Sequence, residues 1–225
     1  MNGAIRLGLV TTFAGLMATT LPPGAHAQPA AKAASGSSAK SIVDAATADA
    51  AKRAAFVKTG QRVAEFCANC HGENGTSKMA DVPNLAGQNV EYIFEQMRKF
   101  LAGERRDDTA FMKGLLKALK PEEKAAIASH YAQSPPIPAR SAAGPNAVRG
   151  KTVYTTRCVQ CHGEDGAGAE TMPRVAGQQT DYLNISLERY RNRTGARLFA
   201  PMTESMRGLS KEDVVALVDY LSSMR

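Results

Sequence analysis

All four cysteines of this chain fall in two copies of one pentapeptide, Cys67-Ala68-Asn69-Cys70-His71 and Cys158-Val159-Gln160-Cys161-His162. Both read C-x-x-C-H, the signature of covalent c-type haem attachment. Two thiols three residues apart suit the two vinyl groups on one edge of a haem, and the next histidine then lies under the ring where it can bind iron. A four-cysteine zinc site would have to join pairs 91 residues apart and would leave both histidines unexplained. A thioredoxin-like redox pair needs a βαβ context, and the sequence has no alternating strand pattern of any length. An even cysteine count in an exported chain ordinarily implies disulfides. Here the spacing favours thioether anchors: Cys67 and Cys70 for one haem c, Cys158 and Cys161 for a second.

The duplication runs well beyond the motifs. Offset by 90 or 91 residues, His71-Gly72-Glu73-Asn74-Gly75 matches His162-Gly163-Glu164-Asp165-Gly166. Pro83-Asn84-Leu85-Ala86-Gly87-Gln88 matches Pro173-Arg174-Val175-Ala176-Gly177-Gln178, Tyr92 matches Tyr182, and Met112 matches Met202. The chain is two copies of one small domain. With no tryptophan and 6% aromatic residues, each copy has little from which to build a core, and a haem plate would supply the missing apolar mass.

Composition sets the boundaries. Residues 1–27 read as a signal peptide: Arg6 is the only charge, Leu7 to Leu21 is apolar, and Ala25-His26-Ala27 is an A-x-A cleavage site. Cleavage near Ala27 would deliver the chain to the periplasm; an uncleaved N-terminal anchor is the alternative. Residues 28–50, rich in Ala, Ser and Lys, read as a mobile leader. Residues 51–133 form the N-terminal domain, 134–147 a Pro-rich linker and 148–225 the C-terminal domain. Inside each copy the signals are helical. Residues 54–66 and 146–157 lead into the motifs, and 89–101 and 180–192 follow the Pro-x-x-Ala-Gly-Gln turns. The closing helices open at Pro121, with Glu122 and Glu123, and at Ser210, with Asp213 in a variant capping box. The expected fold class is all-α.

Each iron needs a second axial ligand. The chain has 4 histidines; His26 leaves with the signal, and His71 and His162 are the proximal ligands, so only His130 remains. Two equivalent bis-histidine sites are thereby excluded. Met79, Met97, Met172, Met206 and Met224 have no methionine at the matching position of the other copy, whereas Met112 and Met202 match each other. These two are the candidate ligands, with Met206 the rival in the second copy and His130 read as an ordinary helix-face residue.

Two C-x-x-C-H domains in tandem, each with Pro-x-x-Ala-Gly-Gln-x-x-x-Tyr and a late Met before a closing helix, resemble the di-haem cytochrome c4 family over about residues 54–225. The resemblance implies two tandem class I cytochrome c-like haem domains facing each other about a pseudo-twofold axis. It also implies His/Met coordination and an electron-carrier role in bacterial respiration. By the same resemblance the carbonyls of Pro83 and Pro173 accept the Nδ1–H of the proximal histidines, and a Gly-x-Arg precedes the distal Met, here Gly103-Glu104-Arg105 and Gly195-Ala196-Arg197. An Arg fork there suits a haem propionate, with a solvated arginine as the alternative. Copy two departs here, because Arg193 falls where the register expects Gly103.

Filling both axial positions with protein atoms leaves outer-sphere transfer of single electrons as the chemistry. The expected protein is a one-electron carrier, not an enzyme, with redox proteins as partners: a quinol-oxidising complex and a terminal oxidase. The alternatives are a cytochrome subunit of a periplasmic dehydrogenase and, against the matched methionines, a di-haem peroxidase. The net charge of +7 is a mild bias with no nucleic-acid motif beside it, so no nucleic-acid partner is expected. The denser run Arg189, Arg191, Arg193 and Arg197 reads either as a solvated face or as a docking patch for an acidic redox partner. Loose association with a membrane surface is a further candidate contact.

Overall fold

The structure, a computed structural model, describes residues 37–136 and 142–225. The expected signal peptide, residues 28–36 of the expected leader and residues 137–141 of the expected linker lie outside the described residues. Among the described residues the architecture is helical, and the only strand-like pairings are isolated bridges.

The first haem motif ends a 22-residue helix, α2 (Ala50–His71), opened by Asp49, whose carboxylate accepts the Lys52 N–H at 2.8 Å. There follow α3 (Val90–Ala102), a short α4 (Phe111–Lys117) and the closing helix α5 (Pro121–Gln133). The second copy repeats the plan with one break. Its motif helix is split at Cys158 into α6 (Ala147–Arg157) and α7 (Val159–His162); α8 (Thr180–Arg191), α9 (Ala200–Ser205) and α10 (Lys211–Ser223) complete it. The capping box at Ser210 is present in full: Ser210 Oγ accepts the Asp213 N–H at 3.1 Å, and Asp213 accepts the Ser210 N–H at 2.9 Å. At α5 only half of such a box exists, because Lys120 can donate but its side chain cannot accept; Glu123 receives its N–H at 3.0 Å.

In each copy the motif helix crosses the closing helix with the backbones in contact. Gly60 and Gly150, one repeat apart, make this possible. A Cβ on Gly60 would lie 2.6 Å from the Ala126 carbonyl oxygen, and one on Gly150 would collide with the Ala216 carbonyl. Around these crossings lie two cores. Val63, Ile93, Phe100, Leu116, Ile127 and Tyr131 build the first, and Tyr154, Leu183, Leu187, Met206, Val214 and Leu217 the second.

The expectation of a mobile leader does not hold for residues 37–50. They form α1 (Ala39–Ala46), with Ser38 accepting the Ser41 N–H at 3.1 Å. Ile42, Val43 and Ala46 pack on Phe56, Ala125 and Ala126, and Ala39 is fully buried. Glu91, in the first turn of α3, accepts the backbone N–H groups of Ala39 and Lys40. An Ala- and Ser-rich composition hid one apolar stripe, and the free N–H groups at the start of α1 found a carboxylate 51 or 52 positions away.

Candidate functional site

Each histidine sits at the last position of its motif helix and turns one ring nitrogen to a backbone carbonyl. His71 Nδ1 lies 2.9 Å from the Pro83 oxygen and His162 Nδ1 3.0 Å from that of Pro173. The bond makes Nδ1 the protonated nitrogen and leaves the Nε2 lone pair free for a metal. Burial pushes both imidazoles below their ordinary pKa, against the opposing effect of the proline carbonyls, so both rings stay neutral. The carbonyl-bearing turns are held by the residues that the repeat preserves. The Gly75 carbonyl accepts the N–H groups of Leu85 (2.6 Å) and Ala86 (3.0 Å), and Gly166 does the same for Val175 (2.7 Å) and Ala176 (3.2 Å). Both glycines have φ near +70°, a left-handed backbone that side chains resist. None of the four cysteines pairs in a disulfide, which leaves all of them for attachment.

Met112 lies in the first turn of α4, its N–H donating to Asp107 at 2.7 Å, and Met202 lies in the first turn of α9. Neither short helix was legible in the sequence. Met112, Met202, both motif histidines and all four cysteines line one cavity of about 1,110 Å³, above the ~300–1,000 Å³ of a typical small-molecule site. Met97 and Met172 also reach its wall, but Met206 and His130 do not. Met206 is 1% exposed within the second core, and His130 packs edge-on against Tyr131 at 5.1 Å. Two cysteine pairs, two neutral imidazoles with free Nε2 atoms and two thioethers on one large apolar wall form a donor set that fits two c-type haems.

The halves meet at a seam made from the two Gly-x-Arg segments. Arg105 and Arg197 form an antiparallel bridge, with Arg106 N–H to Ala196 O at 2.9 Å and Leu198 N–H to Glu104 O at 3.1 Å. Both guanidinium groups reach the Tyr182 hydroxyl, at 3.0 Å from Arg105 and 2.6 Å from Arg197. Burial raises the Tyr182 phenol, but the charges of Arg105 and Arg197 outweigh it and bring the group to about 7. Arg197 Nε is buried without a hydrogen-bond partner while the residue lines the cavity, a donor left over for an anion such as a haem carboxylate. Arg193 adopts the left-handed φ of +51° that Gly103 has at +78°, so the register is kept there and extra residues follow it. The arginine run is neither one solvated face nor one patch. Arg189 pairs with Asp108 of the other half at 2.6 Å, Arg191 with Glu188 at 2.7 Å, and Arg197 is buried. Reading the sequence missed the seam roles of Tyr182 and of Gln88 and Gln178, although all three recur at matched positions of the repeat.

The family model for cytochrome c matches this chain twice, over residues 57–133 and 147–225. A cytochrome c4 from Thiocapsa roseopersicina is 31% identical over 174 residues, covering 70% of this chain and 86% of its own. A thiosulfate dehydrogenase electron acceptor from Stutzerimonas stutzeri is 30% identical, covering 70% and 78%. Among solved structures, that of Acidithiobacillus ferrooxidans cytochrome c4 is similar with a TM-score of 0.65 at 30% identity, covering 71% of this chain and 99% of its own.

Proposed function

The chain belongs to the cytochrome c family, as a tandem di-haem cytochrome of the c4 kind that carries electrons on two covalently bound haem c groups, and from that premise we propose how its residues do so. Cys67 and Cys70 anchor one haem and Cys158 and Cys161 the other. His71 with Met112 would hold the iron of the first, and His162 with Met202 that of the second. Each haem, when bound, supplies one-electron exchange between Fe(II) and Fe(III), with a methionine sulfur favouring Fe(II). The chain's own part is to hold these side chains still and to exclude water. The Pro83 and Pro173 carbonyls fix the imidazoles. Asp107 steadies the backbone of Met112. Two matched pairs of His and Met donors support a carrier, and not a peroxidase or another enzyme.

The observation that carries this reading is that both complete donor sets line one cavity from matched positions of the repeat. We place the protein in the periplasm, with residues 1–27 as its signal peptide, residues 51–133 and 148–225 as its two haem domains, and 134–147 as the linker between them. There it passes electrons from a quinol-oxidising complex to a terminal oxidase. A second reading, supply of electrons by a dedicated dehydrogenase, is favoured by the likeness to thiosulfate dehydrogenase electron acceptors. Co-purification with a larger catalytic subunit separates the two.

The test is spectroscopic. Purified holoprotein should hold two haems per chain, and Met112→Ala and Met202→Ala should each remove about half of the ferric Met–iron charge-transfer band, with Met206→Leu leaving it whole. A band untouched by either alanine substitution overturns the ligand assignment.

A further inference from the structure

The Ala-Gly-Gln turn that follows each proline is tied to its own half and reaches into the other. Gly87 N–H donates to the Tyr131 carbonyl at the end of α5, and Gly177 N–H to the Leu221 carbonyl at the end of α10, both at 3.0 Å. The glutamine beside each glycine then crosses the seam. Gln178 Oε1 accepts the Asn84 N–H at 2.7 Å and its Nε2 donates to the Asn84 carbonyl at 3.0 Å. Gln88 does the same to Arg174, at 2.8 and 2.9 Å. Each side-chain amide thus brackets one residue as a paired strand would, and both are buried, at 4% exposure for Gln88 and 8% for Gln178. The bracketed residues are the ones directly after Pro83 and Pro173, whose carbonyls hold His71 and His162. The neighbouring turn residues add to the grip, Asn89 Nδ2 donating to Met172 O at 2.7 Å and Gln179 Nε2 to Ser77 O at 2.7 Å.

We propose that Gln88 and Gln178 are crossed positioning residues: Gln88 orients His162 and Gln178 orients His71, each through the backbone of the other half. This rests on the histidine assignment above. A carbonyl that accepts from a ligating imidazole raises its basicity and fixes its plane. The Asn84 N–H shares its peptide plane with the Pro83 carbonyl, and the Arg174 N–H with that of Pro173. The glutamine Oε1 that accepts it holds that plane while Nε2 anchors the next one, so the proline carbonyl has little freedom to swing away. Each half therefore sets the donor strength of the other's histidine, so the two sites are tuned in pairs and separation of the halves would loosen both.

The experiment uses reduced, haem-loaded protein with ¹⁵N-labelled histidine, comparing wild type with Gln88→Met and Gln178→Met, which fill the same space without either hydrogen bond. In wild type, two Nδ1–H signals shifted by haem ring currents are expected; their absence overturns the histidine reading and this proposal with it. In Gln178→Met, exchange of the His71 Nδ1 proton should quicken by about tenfold, the scale of one weakened buried bond, with His162 unmoved. Gln88→Met should do the reverse. The potential of the haem in the opposite half should rise, as a less basic imidazole stabilises Fe(III) less, by about threefold in the one-electron constant, ~30 mV at 59 mV per decade. If a methionine variant fails to load haem, the asparagine variant, polar but one methylene too short to bracket, is expected to give the same crossed pattern. Effects confined to the substituted half, equal in both halves, or absent while both signals persist overturn the proposal alone.

Discussion

At the scale of single residues the chemistry turns on which copies of an amino acid have a matched partner. Met206 and Met202 are one helical turn apart, yet one is core and the other lines the cavity. The repeat marks the same distinction, since Met202 has a methionine at its matched position, Met112, and Met206 has none. Arg193 illustrates the opposite case. It occupies a left-handed position that its counterpart fills with glycine, and nothing in a one-dimensional register shows whether the backbone or the alignment has shifted. Gly150 yields a sharp prediction. Gly150→Ala places a methyl against the Ala216 carbonyl, so it should lower stability by about 1–3 kcal/mol, read as a lower urea midpoint with haem content retained. An unchanged midpoint would mean that α6 and α10 do not approach as described.

At the scale of elements, helices with a strong local signal were legible and short ones were not. Helix α10 announces itself through Ser210 and Asp213, and α5 through Pro121 and its glutamates. Ser210→Ala should cost about 1 kcal/mol by freeing one N–H at the head of α10, measured by thermal melting. The Asp213 carboxyl is held below its ordinary value of 3.8, first by the Ser210 N–H and then by Arg149. A lowered folded pKa means that its contribution is present above about pH 4 and lost as pH falls through the folded value. Asp213→Asn should therefore lose stability at neutral pH and flatten the acid limb of the stability profile. By contrast α4 and α9, which present the methionines, have only 7 and 6 residues. Helices that short have no independent stability in water, so their sequences carry little periodic signal and the surrounding packing decides them. α1 escaped notice for a related reason, since its stripe acquires meaning only against Phe56 and Ala125.

At the scale of the whole molecule, two domains of low aromatic content surround one large cavity, which leaves each core dependent on what fills it. Replacing all four cysteines by alanine should give a haem-free chain that is largely unfolded by far-ultraviolet circular dichroism. A cooperative thermal transition in that variant would show that the protein cores suffice alone. The duplication, the attachment motifs, the proximal histidines as candidates and the pairing of methionines all follow from the linear order of residues, because covalent attachment and ligation demand particular side chains at particular spacings. Tertiary structure alone decided that the two Gly-x-Arg segments pair, that Arg189 spans the halves, and that Gln88 and Gln178 cross the seam. A sequence repeat makes two surfaces alike without saying which faces meet. That choice depends on shape and on satisfying buried polar groups across the seam, and neither is written in any one stretch of the chain.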